Sequence, residues 1–178
     1  MSIGQTSVAA QGQVFAGLVD NTGPSRIFSY VNAESTAEIP FGTPVFKGTG
    51  DNEAIIGAAD ATDLLGIVVH SHLYAKAHGD FGGDLGTTGL KPGVVMSVLQ
   101  SGIVYVTLSE NSITPASAVR FWQFAHSSNG AGTFGKTADS EYTQLIPAAN
   151  ARYLDSGGAG DVVRLELSGV NIVCVPDT

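Results

Sequence analysis

Cysteine is almost missing from this chain: the sequence holds one, Cys174. No intrachain disulfide can form, which excludes a disulfide-stapled scaffold. Cys174 lies in the apolar run 170–175, with no histidine or cation beside it in sequence. It reads as a small buried hydrophobe on a terminal strand, not as a reactive thiol.

Charge is also scarce. Charged residues make up 13% of the chain, against ~25% in ordinary soluble domains. The eight basic residues, Arg26, Lys47, Lys76, Lys91, Arg120, Lys136, Arg152 and Arg164, are scattered singly among sixteen acidic ones, giving a net charge of -8. Binding nucleic acid needs clustered cations that displace phosphate counterions. No nucleic-acid partner is expected.

Long hydrophobic runs are missing too. No apolar stretch reaches the ~20 residues of a membrane-spanning helix, so no membrane partner is expected. The first residues have neither the basic nor the apolar region of a secretory signal. Synthesis and solubility in a cytoplasm are the expectation.

Motifs of chemistry are thin. There is no Gly-x-Ser-x-Gly elbow. The glycines at 157, 158 and 160 precede a strand rather than a helix, so they cannot cradle a phosphate. The segment 79–84 has calcium-loop composition without the ligand spacing or the bidentate glutamate. His70 and His72 stand two apart, on one face of a strand, and His78 offers a third nitrogen. No fixed carboxylate or thiolate accompanies them, so a metal-dependent hydrolase is the weakest reading. The chain is expected to be no enzyme, with no catalytic residue, cofactor or metal.

What is present is strand and turn. Hydrophobic residues make up 43%, enough for a real core. Residues 1–26 are rich in Gln and Gly, with isolated apolar anchors at Val8, Val14, Phe15, Leu18 and Val19. They read as an extended arm that ends in the turn cluster 20–24. From residue 27 onward short apolar segments alternate with Gly- and Pro-rich turns. Segments 27–31, 43–47, 54–56, 64–70, 119–124, 133–137, 151–154, 162–167 and 172–175 are predicted strands. Gly66, inside one of them, marks a bulge or a close backbone contact. Residues 94–99 and 103–108 flank Gln100-Ser101-Gly102, which predicts a central hairpin. About ten short strands in 27–178 predict an all-β fold, a small barrel or sandwich with an extended N-terminal arm. Residues 138–150 give no clear pattern.

The aromatic cluster Phe121, Trp122 and Phe124 has two readings. It is a core or subunit-interface cluster, or a surface on which a sugar ring stacks.

The order of segments resembles a known family. It runs from the Gln/Gly arm to Ile39-Pro-Phe-Gly-Thr-Pro-Val45 and Leu65-Gly-Ile-Val68. The run 93–106 follows, then Ala151-Arg-Tyr-Leu154 and Gly160-Asp-Val-Val-Arg-Leu-Glu-Leu167. Over residues 10 to 168 it is similar to the structural cement, or head decoration, proteins of tailed bacteriophages. The resemblance implies a non-enzymatic virion protein on the capsid outer surface, assembled in the host cytoplasm. Its partners would be the major capsid protein and itself, as a homotrimer that clamps neighbouring capsid subunits. The arm would reach along the capsid and add a strand to it. Residues 110–148 fit the family pattern less well, and an insertion facing solvent or a neighbouring trimer is expected there. The alternative is a receptor- or glycan-binding virion module built on Trp122.

Overall fold

The computed structural model describes residues 14–57, 62–70, 89–169 and 172–177. Among them lie fifteen strands. In chain order these are β1 (Val19–Asp20), β2 (Arg26–Asn32), β3 (Ile39–Pro40), β4 (Pro44–Lys47), β5 (Glu53–Ile55), β6 (Asp63–Val69), β7 (Gly89–Leu90) and β8 (Val95–Thr107). The others are β9 (Val119–Trp122), β10 (Phe134–Gly135), β11 (Thr143–Ile146), β12 (Ala151–Tyr153), β13 (Val162–Leu167), β14 (Ile172–Val173) and β15 (Val175–Pro176). The fold is all-β, as the turn-punctuated pattern predicts.

A closed ring forms the body. β8 pairs with β2, β2 with β5, β5 with β4, β4 with β6, and β6 returns to β8. Closure removes most sheet edges. Strand alternation then divides the side chains. Val45, Val68, Met96 and Val98 fill the ring. Phe46, Ile67, Val69 and Leu99 point outward into a second, larger core. The apolar faces on both sides of 94–99 therefore have two different cores to fill.

The larger core is covered by a four-stranded sheet of β10, β9, β11 and β15. From it Val119, Phe121, Phe134 and Ile146 point inward. Residues 110–148 thus supply fully buried side chains to the body. β11 lies within the stretch 138–150, whose sequence alone gave no assignment.

The predicted hairpin at Gln100-Ser101-Gly102 does not form. β8 is one strand of 13 residues running straight through it. Its two halves have separate partners. Val98 and Leu99 pair with Phe28 and Ile27 of β2 and with Val68 and Ile67 of β6. Ile103 and Val104 pair with Glu166 and Leu165 of β13 and with Asp20 and Val19 of β1. Gly102, at φ +133°, lets the strand leave one sheet for another without reversing. A glycine at a strand bend and a glycine in a hairpin loop look alike in sequence.

Gly66 behaves as expected. Val45 pairs with Gly66 but Phe46 with Leu64, so Leu65 is bulged out of register. A Cβ at Gly66 would run into the carbonyl oxygen of Leu99. The missing side chain lets β6 approach β8 and close the ring.

The chain ends as a strap. β14 pairs with Leu64 and Asp63 of the ring, and β15 pairs with Leu145 and Gln144 of the covering sheet. Ile172 and Cys174 point into the larger core, while Val173 and Val175 are exposed. Cys174 is a buried hydrophobe on a terminal strand, as its neighbours in sequence suggest.

Candidate functional site

The arm meets the body at a glycine. The N–H of Gly17 donates to the carbonyl of Tyr105 at 2.8 Å, and its own carbonyl accepts from the N–H of His70 at 2.8 Å. Gly17 has φ +85°, and a Cβ there would lie 2.7 Å from the Cβ of Phe41. Only glycine fits. Beyond it, Tyr105 donates to the carbonyl of Leu18, and Val19 pairs with Val104. Leu18 and Val19 are half-buried, and Val19 packs on the larger core. Val14 and Phe15 lie on the other side of the glycine and are 42% and 43% exposed. The anchors divide accordingly: Leu18 and Val19 hold the body, while Val14 and Phe15 stay largely exposed, Phe15 with one edge against the His70 ring. Val8 lies outside the described residues.

An ion-paired arginine fixes the same junction. Arg164 of β13 donates to both carboxylate oxygens of Asp155, at 2.9 and 2.7 Å. Its other terminal nitrogen lies 3.5 Å from Asp20 of β1. Hydrogen bonds from Thr22, then Arg164, hold the Asp20 carboxyl below the ordinary carboxylate range. Hydrogen bonding to Arg164 lowers Asp155. Both effects stabilise the charged form.

The three aromatic candidates do not share one face. Phe121 is fully buried between Phe46 and Phe134, with ring centroids at 5.7 and 6.2 Å. Trp122 points to the opposite face of β9 and is 5% exposed. His126 packs near it, stacked in turn on Tyr142 at 4.0 Å. A sugar-stacking platform needs an open ring face, which Trp122 does not present. Its indole N–H is buried and makes no hydrogen bond among the described residues. Phe124 is 37% exposed.

Of the histidines, His70 is half-buried, its ring 4.9 Å from that of Phe15 and 5.0 Å from that of Phe41. It supports the arm junction. His72 and His78 lie outside the described residues. No group of three or more metal-ligating side chains occurs among the described residues.

The sequence matches the family described as "Structural cement protein (E217 gp24/Pam3 gp6)" over residues 3–168. The chain belongs to the phage structural cement family. The fold is similar to that of a chain in a solved structure titled "The capsid of Myoviridae Phage XM1". The TM-score is 0.59, the identity 18%, and the match covers 86% of this chain and 89% of that one. No curated protein matches. The cement protein is accordingly a non-enzymatic, capsid-associated structural component of a phage virion.

Sequence reading missed several structural residues of this cement protein. Glu110 accepts from the backbone N–H of Lys136 and of Thr137 and from the Thr137 hydroxyl, clasping the end of β10. Tyr153, fully buried, donates from its hydroxyl to the carbonyl of Gly135 at 2.7 Å. Burial, with the Glu110 charge, raises its phenol above the ordinary range. These partners are 18 to 27 residues apart in sequence, and no local pattern marks them.

Proposed function

We propose that this protein decorates the outside of a phage capsid as a trimer, clamping neighbouring major capsid subunits, with residues 1–16 as the part that reaches along the shell. The observation that carries the reading is the family match over almost the whole chain. Physical features support it. An acidic surface with isolated cations suits the outer face of a head rather than its DNA-facing interior. A closed ring with two cores is a rigid body, and Val14 and Phe15 leave it exposed. An extended segment with spaced apolar anchors suits strand addition, where the backbone gives affinity and the side chains give register. Each contact is weak because ordering an arm costs about 1–2 kcal/mol per residue. Many copies on one shell compensate through high local concentration.

The test is binding to undecorated heads. Deleting residues 2–13 spares the Gly17 junction and the Phe15 contact with His70, so the body should stay folded. Binding to heads should fall at least tenfold. Full binding by the truncated protein would remove the arm from the reading. Light scattering of the free protein should give three times the 18.2 kDa chain mass. A monomer at micromolar concentration would remove the trimer and leave the capsid role standing.

A further inference from the structure

Among the described residues, part of one ring strand is unpaired on one side. β2 pairs with β8 along its length, but with β5 only at Val31 and Asn32. Arg26, Ile27, Phe28 and Ser29 are exposed. The direction of the backbone groups follows from their neighbours. Val31 donates its N–H to Asn52 on the β5 side, at 2.8 Å, and Asn32 donates to Val94 on the β8 side, at 3.0 Å. Peptide groups alternate along a strand. The N–H and carbonyl groups of Ile27 and Ser29 therefore point away from β8, to the side where no strand lies among the described residues.

Proteins blunt such edges with lysine, proline, bulges or a cover. This one carries Ile27 and Phe28, 44% and 40% exposed on opposite faces of the strand. The one cation, Arg26, lies over the Phe28 ring at 4.9 Å rather than standing guard on the edge. In a chain of net charge -8, the stretch 21–33 contains no carboxylate, nor does the facing stretch 94–101.

We propose that the edge of β2 pairs antiparallel with the β2 edge of a second copy, with Phe28 on the two-fold axis. The register is self-complementary. Outward-facing Ile27 of one copy and Ser29 of the other exchange both backbone hydrogen bonds, and the reverse holds across the axis. Phe28 then meets its own mate as the close, non-hydrogen-bonded pair, about 4.5 Å apart at the Cα atoms. Arg26 falls opposite Tyr30. Within the paired stretch 26–30 neither copy carries a carboxylate, and the acidic residues nearest this edge, Asp51 and Glu53, lie at the Val31 end beyond it, on the side where the partner's Arg26 arrives. The contact is two-fold, unlike the three-fold contact of the proposed trimer. It joins one trimer to the next on a shell. A patch of five residues per copy is weak in solution and effective when both copies are already held.

Phe28→Cys tests it, because the native cysteine is buried. Under mild oxidation, on free protein and on decorated heads, Phe28→Cys should give a disulfide-linked dimer at least tenfold faster than Ser140→Cys, an exposed control. Adding Ser29→Pro removes an outward N–H and should abolish the cross-link. Ser29→Lys serves the same end should the proline variant fail to fold. The proposal is overturned if Phe28→Cys links no faster than the control in either setting. It is equally overturned if the link survives both Ser29 changes, or if the Phe28→Cys variant on heads links to the major capsid protein instead. Head binding and light-scattering mass read the capsid and trimer proposals separately, so either can fail without the other.

Discussion

Arg120 holds Asp177 almost at the end of the chain. Its Nε lies 3.0 Å from both carboxylate oxygens of Asp177, whose side chain is 8% exposed. The Thr143 hydroxyl donates to the same carboxylate at 2.6 Å, and Arg120 also donates to the carbonyl of Lys136 at 2.8 Å. One carboxylate thus ties β15 to β9 and β11. A strand of two residues has little pairing of its own. Asp177→Ala leaves a half-buried guanidinium without its main partner, and should destabilise the protein by about 2–3 kcal/mol. Urea denaturation measures this. Arg120→Met added to Asp177→Ala should recover part of the loss, because no charge is then left unpaired. Equal stability of Asp177→Ala and wild type would mean that the strap is held by Ile172 and Cys174 alone.

The seam of the ring gives a sharper contrast between two glycines. Gly66 is at φ +149° and a side chain there collides with the Leu99 carbonyl, which belongs to the backbone and cannot rotate away. Gly93 is at φ +79° with open space around it. Gly66→Ala should cost about 2–4 kcal/mol, combining strain and overpacking. Gly93→Ala should cost only the strain, about 1–2 kcal/mol. Thermal melts of the two variants side by side decide the matter. Equal losses would mean that the β6–β8 approach relaxes freely.

How much of this was legible in the sequence follows from range. Val163, Leu165 and Leu167 alternate with Arg164 and Glu166 in the sequence and are the buried residues of β13, because alternation is a two-residue property of the strand itself. The turn cluster 20–24, the bulge at Gly66 and the burial of Cys174 were likewise local. The path of β8 was not. Gly102 permits a bend or a reversal equally, and the choice is made by β2, β6 and β13, which come from distant parts of the chain. Alternation puts Phe121 and Trp122 on opposite faces of β9, but which of the two faces the larger core is decided by Phe46, far away in sequence. The hold of Gly17 on Tyr105 and His70 is likewise a contact across 53 to 88 residues, invisible to spacing.

Acid should loosen the arm junction first. Asp20 and Asp155 both have carboxyls held below their unfolded values, Asp20 mainly by Thr22 and Asp155 mainly by Arg164. A depressed folded value means stability that is fully present above the ordinary carboxylate pKa of about 4. It is lost as pH falls from there through the folded values. Urea midpoints should therefore be flat from pH 7 to about 5 and fall below about 4. Asp155→Asn should lower the midpoint at pH 7 and flatten the acid limb, since the variant has nothing left to protonate at that position. Parallel acid limbs for variant and wild type would show that other carboxylates set the dependence.

Cys174 reports on the strap from inside. Its side chain is 1% exposed, and burial, with the nearby Asp63 charge, pushes the thiol up to about 12. Its N–H is held by the carbonyl of Thr62 at 2.8 Å, next to β6. At neutral pH a thiol so placed has almost no thiolate, which is the reactive form. Native protein should not react with a disulfide reagent over hours, and urea-unfolded protein should react within seconds to minutes. The contrast separates strap release from global unfolding. If Asp177→Ala makes Cys174 react in buffer while circular dichroism still reads folded strands, β14 and β15 open as a local unit. If labelling rises only in step with loss of the strands, the strap and the ring unfold together. Fast labelling of the wild-type protein would contradict the burial of Cys174 and, with it, the closure of the larger core by the C-terminal strap.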